Sequence, residues 1–404
     1  MIVVAEPTAR VATRASCEVA AEWVHLQYAE QSAFREVYGF ASAHGMINLE
    51  GIRYVPKGRP SKTLFIYMHP ASTLQLLPVP KAMAARGAHV LCAGSRYARN
   101  DTALIMEKVV LDFGAYVRHA KDVWGYERVV LIGWSGGGSL SLLYQAEAEH
   151  PTITHTPAGD PVDLTRANLI PADALTFQAA HVSRAVMLAE MIDPSVRSED
   201  DPDDREVELD LYDPRNPNQP PYSPEYVARF RAAQLARLRK RTAWTKDTLA
   251  RLRAAGGGEV ERGFVTHRTL ADPRFLDPTI DPNDRPIGAC YLGVPETVNS
   301  GPVGIGRFST LRSWLSQWSV DDTNAHGEKC AARIRAPLLA IENSADDAVP
   351  QPHTRRVFDA AASADKDFRV IQGATHYYVG QPELMHQAID ITFKWLAARG
   401  LFEA

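Results

Sequence analysis

Ser135 lies in the pattern Gly-x-Ser-x-Gly at residues 133–137. The pattern alone is weak evidence, because a glycine-rich loop can contain a serine by chance. Here an apolar, β-branched run at 128–132 leads into the pattern, and residues 139–149 carry apolar side chains at helical spacing. A strand, a tight turn and a helix in this order form a nucleophile elbow, which raises a serine hydroxyl above a sheet. The context therefore favours Ser135 as a nucleophile, with the Gly136 amide placed to bind an oxyanion.

A serine nucleophile needs a base that takes its proton and an acid that orients the base. Two aspartates, Asp346 and Asp347, follow an apolar strand candidate at 336–341, and His376 follows a second candidate at 368–371. An isolated histidine is usually a surface or core residue, but this one stands between the last strand and the final helix. The placement predicts His376 as general base and one of the two aspartates as its partner.

The chain resembles the α/β-hydrolase superfamily over residues 45–180 and 331–404. The resemblance rests on three motif segments, at 133–137, 344–350 and 373–376. It implies an α/β fold with a doubly wound, mostly parallel sheet and a catalytic triad in the chain order serine, acid, histidine. Alternation of strand and helix candidates along the chain independently favours such a sheet, with its site at the carboxyl ends of the strands.

The resemblance also assigns the acid. In this superfamily the acid commonly stands three residues after a glycine that closes its strand and a few residues before a Val-Pro pair. Alignment on residues 349–350 places the acid at Asp346, with Asn343 at the usual glycine position. Asp347 remains an alternative, because both carboxylates lie on one loop. The implied triad consists of the nucleophile Ser135, the base His376 and the orienting acid Asp346.

The strand candidate at 63–68 ends in His69-Pro70, where the superfamily usually has His-Gly. Proline has no N–H, so this position cannot donate to an oxyanion. The resemblance then implies the Ala71 amide, beside Gly136, as the second donor, with assistance from the Ser72 hydroxyl. His69 is expected to support the loop rather than to act as a second base. The side chains expected to contact substrate are those of His69, Ser72, Trp134, Trp314 and Trp318.

Two regions lie outside the minimal fold. Residues 1–45 are predicted to form an N-terminal helical extension, with apolar positions at helical spacing over 15–36. The stretch between Ser135 and Asp346 is too long for that fold, so residues 181–330 are predicted to be a largely helical lid. The lid is rich in aromatic residues, some of which are expected to line an apolar pocket. Spacing does not decide whether Trp314 and Trp318 belong to that pocket or to the core of the lid.

Composition limits the function classes. The 404 residues are 45% hydrophobic and 23% charged, with a formal net charge of −4. This balance gives no reason to expect nucleic acid or an anionic membrane as a partner. The four cysteines are scattered, which is typical of a reduced cytoplasmic protein and indicates neither a disulfide framework nor a zinc site. We expect no cofactor or metal and a small-molecule substrate; the oligomeric state stays open, with a homodimer as one option.

The sequence thus predicts a cytoplasmic serine hydrolase that cleaves a carboxylic ester or lactone of a bulky, partly aromatic small molecule through an acyl-enzyme. The same triad also hydrolyses thioesters, amides or the C–C bond of a diketone, and an acyltransferase would use it with water excluded. A ligand-binding protein without catalysis is the alternative of a different class. An intact set of Ser135, Asp346 and His376 argues against it, because a binder has no reason to retain all three.

Overall fold

The central element of the computed structural model is an eight-stranded sheet. The structure describes residues 16–30, 45–302, 304–349 and 351–403. The strands in these ranges are β1 (Val19–Ala29), β2 (Met46–Pro56), β3 (Thr63–His69), β4 (His89–Gly94), β5 (Arg128–Trp134), β6 (Ala174–Gln178), β7 (Gly263–Val265), β8 (Phe308–Thr310), β9 (Leu338–Asn343) and β10 (Lys366–Ile371). The helices are α1 (Pro78–Ala85), α2 (Met106–Asp122), α3 (Gly136–Glu149), α4 (Arg184–Met191), α5 (Pro224–Ala255), α6 (Pro295–Ser300), α7 (Leu311–Gln317), α8 (Gly327–Ala331), α9 (His353–Ala360) and α10 (Pro382–Ala397).

The strand order in the sheet is β1-β2-β4-β3-β5-β6-β9-β10. The strands from β4 onward in this order are parallel, whereas β2 runs antiparallel to both β1 and β4. Every residue of β3, β4 and β6 is buried, because helices and loops cover both faces of the sheet and leave one apolar core on each side. The predicted doubly wound, mostly parallel sheet is confirmed.

The predicted N-terminal helix is wrong for the described residues of that segment. Residues 19–29 form β1, which pairs with β2 along its whole length. Val24 and Leu26 are buried while their neighbours face solvent, so this segment has the alternation of a half-buried strand. Pairing with the edge of the sheet decides between the two periods. Residues 1–15 and 31–44 lie outside the described residues.

Residues 181–330, here called the insertion, lie between β6 and β9 and contain α4 to α7, the small β7–β8 sheet and all of α8 except its last residue. The 32-residue helix α5 begins at an N-cap serine, Ser223, and ends at Gly256 in the left-handed conformation. Its basic side chains pair with the acidic segment before it, as in the ion pair between Arg237 and Glu199. Among the residues described, no helix is both long enough and apolar enough to cross a bilayer.

Candidate active site

Ser135 occupies a sharp turn between β5 and α3. Its backbone angles, φ 54° and ψ −128°, are rarely adopted by a residue with a side chain and indicate local strain. The turn is tight because α3 starts directly beneath β3. A Cβ atom on Gly137 would lie 2.3 Å from the carbonyl oxygen of Met68, which is too close for any side chain. Glycine at this position therefore allows α3 to approach the sheet, and Ser135 lies at the edge of the sheet as a result.

His376 and Asp346 meet at the carboxyl edge of the sheet, on the loops after β10 and β9. The Nδ1 atom of His376 lies 3.0 Å and 3.1 Å from the two carboxylate oxygens of Asp346. Asp346 Oδ1 also accepts the main-chain N–H groups of Ala348 and Val349, at 2.9 Å and 2.7 Å. Both side chains are buried. The carboxylate is thus fixed in position and fixes the imidazole in turn.

Asp347 makes a different contact with the same histidine. Its Oδ1 atom accepts the main-chain N–H of His376 at 3.1 Å, and its carbonyl oxygen accepts the amide of Tyr291 at 3.0 Å. Asp347 therefore anchors the backbone of the histidine loop and the insertion above it. Of the two aspartates that the sequence left open, only Asp346 contacts the imidazole.

Trp134 links the serine to the histidine. It directly precedes Ser135, and its ring centroid lies 4.4 Å from that of His376. Within the described ranges, neither Ser135 Oγ nor His376 Nε2 hydrogen-bonds to a protein group. Both atoms are thus available to a reacting ligand.

Ser135 opens into a cavity of about 360 Å³. Its walls come from loops after β3, β4, β5, β6, β9 and β10 and from the insertion: His69, Ala71, Ser72, Arg99, Asp101, Trp134, His181, Arg184, Met187, Tyr291, Leu292, Gly304, Ile305, Ala348, Val349 and Tyr377. A second cavity of about 300 Å³ adjoins it and shares five lining residues, Ala71, Ser72, Arg99, Trp134 and Tyr377. The insertion therefore forms part of the wall that faces the serine.

Comparison with solved structures supports the sheet topology of the fold. The structure of DcsB in complex with its substrate analogue is similar with a TM-score of 0.51 and 13% identity, covering 93% of this chain and 99% of that one. The chain has the α/β-hydrolase fold. The α/β-hydrolase GrgF from Penicillium sp. sh18 (TM-score 0.47, 9% identity, coverage 93% and 99%) and the Paleococcus ferrophilus monoacylglycerol lipase (0.44, 14%, 87% and 98%) are also similar. No family model and no curated protein matches the sequence.

The loop after β3, which the sequence predicts to carry the second oxyanion donor, differs from that expectation. The Ala71 amide, predicted to be the second donor, instead donates to Nδ1 of His69 at 3.0 Å, and the Ser72 amide donates to the same atom at 2.9 Å. Pro70 has no N–H to offer. The structure therefore does not present the Ala71 amide to the cavity, because the imidazole that folds the loop already accepts it.

Trp314 and Trp318 are core residues of the insertion and do not line either cavity, so their assignment as substrate contacts is wrong. Both are fully buried, and their rings stack at 4.8 Å with an interplanar angle of 8°. Trp314 Nε1 donates to Thr242 Oγ1 at 2.9 Å. An insertion of this size needs an apolar centre of its own, and its largest side chains fill it. His69, Ser72 and Trp134 do line the cavity beside Ser135.

Sequence reasoning missed an ion pair in the cavity wall. Arg184, at the start of α4, pairs with the Asp101 carboxylate, and its Nε donates to Gln317 Oε1 at 2.8 Å. Arg184 thereby connects the insertion to the loop after β4. Tyr377 could have been predicted from the sequence, since it follows His376 directly. Arg184 and Tyr291 could not, because their position at the cavity depends on how the insertion packs against the sheet.

Proposed function

We propose that this protein is a serine hydrolase that cleaves a carboxylic ester or lactone through an acyl-enzyme. The observation that carries the proposal is the hydrogen-bonded pair of His376 and Asp346, which packs against Trp134, the residue before Ser135. Ser135 itself occupies a strained turn and lines a cavity. Strain in the backbone is retained where function requires the conformation. A protein that only binds a ligand needs neither the strained serine nor a buried carboxylate on a histidine, so this arrangement supports catalysis over binding.

The proposed roles are those of a serine triad. Ser135 Oγ attacks the substrate carbonyl carbon while His376 Nε2 takes the hydroxyl proton, and the carbonyl electron pair moves onto oxygen to form an oxyanion. The tetrahedral adduct collapses, the C–O bond to the leaving group breaks, and the alcohol takes the proton from His376. Water then repeats the sequence and releases the acid. Asp346 holds the ring through Nδ1, which leaves Nε2 to act as the base, and it stabilises the imidazolium ion.

The cavity supports a bulky substrate. Its wall combines apolar and aromatic side chains, such as Met187, Ile305 and Tyr291, with the Arg184–Asp101 pair. An apolar pocket discriminates by being filled, and each unfilled methylene forfeits roughly 1 kcal/mol. We therefore propose that the insertion is a lid that sets selectivity and that short acyl esters are poor substrates.

A fluorophosphonate probe tests the nucleophile, since it phosphonylates an activated serine. We expect one label, mapped by peptide mass spectrometry to Ser135, and no label on the Ser135→Ala variant. Ser313, a buried serine of the insertion, provides a matched control as Ser313→Ala. Labelling elsewhere, or full turnover by Ser135→Ala, would contradict the proposal. A panel of p-nitrophenyl esters, lactones, thioesters and diketones then identifies the bond; faster turnover of a thioester or diketone would replace the ester assignment while keeping the triad.

A further inference from the structure

Among the described residues, the loop after β3 does not offer the main-chain oxyanion donor that was expected from Ala71. The Gly136 amide is the first N–H of α3 and has no acceptor within its own helix. On the facing loop after β3, Pro70 has no N–H, and the amides of Ala71 and Ser72 both point at the His69 ring. A single donor is a poor match to the charge that develops on a tetrahedral adduct, since removal of one donor typically costs about 10²- to 10³-fold in kcat.

The two amides fix the tautomer of His69. An Nδ1 atom that accepts two N–H groups carries no proton, so the neutral ring must carry its proton on Nε2. Burial lowers the pKa of His69 from 6.5 to about 3, and the charges of Arg184 and His376 add to this effect. The ring is therefore neutral at ordinary pH. Donation into Nδ1 also withdraws electron density from the ring, which makes Nε2–H a better donor.

The Nε2 atom points at the elbow. A Cβ atom built on Gly136 would lie 2.5 Å from His69 Nε2 and 3.1 Å from each neighbouring ring carbon, so the tip of the ring faces the first residue of α3. His69 and Ser135 line the same cavity. In the part of the chain that the structure describes, Nε2 has no hydrogen-bond partner. His69 is thus a buried ring whose Nδ1 atom already accepts two hydrogen bonds. Its Nε2 atom has no partner and lies beside the turn that carries Ser135.

We propose that the Nε2–H group of His69 is the second oxyanion donor, so that a side chain replaces the missing main-chain amide. The inference rests on the proposed acyl-enzyme chemistry at Ser135 and assigns His69 as a catalytic residue. His69 then donates a proton in a hydrogen bond whereas His376 accepts one, and the partner of each Nδ1 atom determines this difference. A carboxylate on His376 Nδ1 makes that ring a base, whereas two amides on His69 Nδ1 make it a neutral donor.

Two substitutions separate this role from simple loop support. In His69→Asn, the amide oxygen takes the position of Nδ1 and still accepts the Ala71 and Ser72 amides, but nothing replaces Nε2–H. In His69→Gln, the longer side chain places an N–H near the position of Nε2 and loses the acceptor for the loop. The measurements are kcat and KM for the p-nitrophenyl ester that the wild type cleaves fastest, the rate constant of fluorophosphonate labelling at Ser135, and the melting temperature.

We expect His69→Asn to lower kcat and the labelling rate by about 10²- to 10³-fold, with KM within a few-fold of wild type and an unchanged melting temperature. His69→Gln should melt lower yet retain more kcat than His69→Asn. The reverse order, or a kcat of His69→Asn within threefold of wild type, would overturn the inference and leave the proposed hydrolase standing. Absence of labelling at Ser135 in the wild type would overturn both.

Imidazole ¹⁵N–¹H spectra of the wild type give a second test that needs no variant to fold. In the free protein His69 should be protonated at Nε2 and not at Nδ1. On phosphonylation of Ser135, the Nε2–H proton should shift downfield, because it donates to the phosphonyl oxygen. Protonation at Nδ1, or an Nε2–H signal that does not respond to the adduct, would overturn the assignment.

Discussion

The Nδ1 atom of His376 lies 3.0 Å from Asp346 Oδ1 and 3.1 Å from Oδ2, so the imidazole faces the carboxylate almost symmetrically. The adjacent carboxylate of Asp347 contacts the same residue only through its main-chain N–H. Two neighbouring aspartates on one loop thus act on the ring and on the backbone of a single histidine. This difference makes them a matched pair for mutagenesis, since one chemical change can be made at each position.

Asp346→Asn should lower kcat for a p-nitrophenyl ester by about 10⁴-fold, because an amide in place of the carboxylate favours the wrong tautomer of His376. Asp347→Asn keeps an oxygen that can accept the main-chain N–H, and should cost less than about tenfold. Circular dichroism and melting curves should show both variants folded. If the two losses come out reversed, Asp347 is the acid and the contact between Asp346 and the His376 ring is not the catalytic one.

The elbow should not tolerate a methyl group at Gly137. Its Cβ would lie 2.3 Å from the carbonyl oxygen of Met68, so Gly137→Ala must push α3 away from β3. Overpacking of this kind costs about 1–3 kcal/mol, and the displaced serine should lose most of its reactivity with a fluorophosphonate. Gly257→Ala is the control, because nothing lies within 4 Å of a Cβ there. Equal labelling rates for the two variants would show that the elbow is looser than the structure indicates.

The stacked tryptophans should determine the stability of the insertion rather than its selectivity. Trp318→Ala removes a fully buried ring from the stack with Trp314 and should lower the free energy of unfolding by about 3–5 kcal/mol. Denaturant unfolding measures this loss, and the ratio of kcat/KM for bulky and short esters should stay unchanged at a temperature where the variant is folded. A changed ratio with unaltered stability would show that Trp318 lines the substrate pocket.

The sequence predicted the features that short segments determine. The elbow, the Asp346 loop and His376 each follow a strand of recognisable apolar character, and parallel strands bring their carboxyl ends to one edge. The helix predicted over residues 15–36 is wrong in β1. Val19, Trp23 and Val24 have helical spacing, but the buried residues Val24 and Leu26 are two apart, as on one face of a strand, and β1 pairs with β2 along its whole length.

The sequence did not predict the contacts between segments that are far apart along the chain. The Arg184–Asp101 pair joins the insertion to the loop after β4. The turning of the Ala71 amide toward His69 depends on a ring orientation that no spacing encodes. Likewise, Trp314 and Trp318 stand one helical turn apart whether they face a pocket or a core. These properties follow from how the insertion packs, which is a tertiary property.

A buried carboxyl where the insertion contacts α2 predicts a pH-dependent stability. Glu107, on α2, is fully buried; its Oε1 accepts Asn324 Nδ2 at 2.8 Å, and its Oε2 has no partner among the described residues. Burial raises the pKa of Glu107 from 4.5 to about 7, although hydrogen bonds from Asn324 and Ser316 oppose the shift. The folded protein therefore holds a proton that the unfolded chain releases at lower pH.

Between pH 4.5 and 7 the folded state binds more protons at Glu107 than the unfolded state does, so this group's contribution to stability falls as pH rises. The neutral variant Glu107→Gln has no such loss. Its advantage over wild type in free energy of unfolding should be small near pH 4.5 and should grow to the order of 3 kcal/mol at pH 8. Denaturant unfolding of both proteins across this range measures the difference, in which the contributions of all other titrating groups cancel. A difference that stays constant with pH would mean that Glu107 is ionised in the folded protein, and that Asn324 and Ser316 stabilise its charge more than burial opposes it.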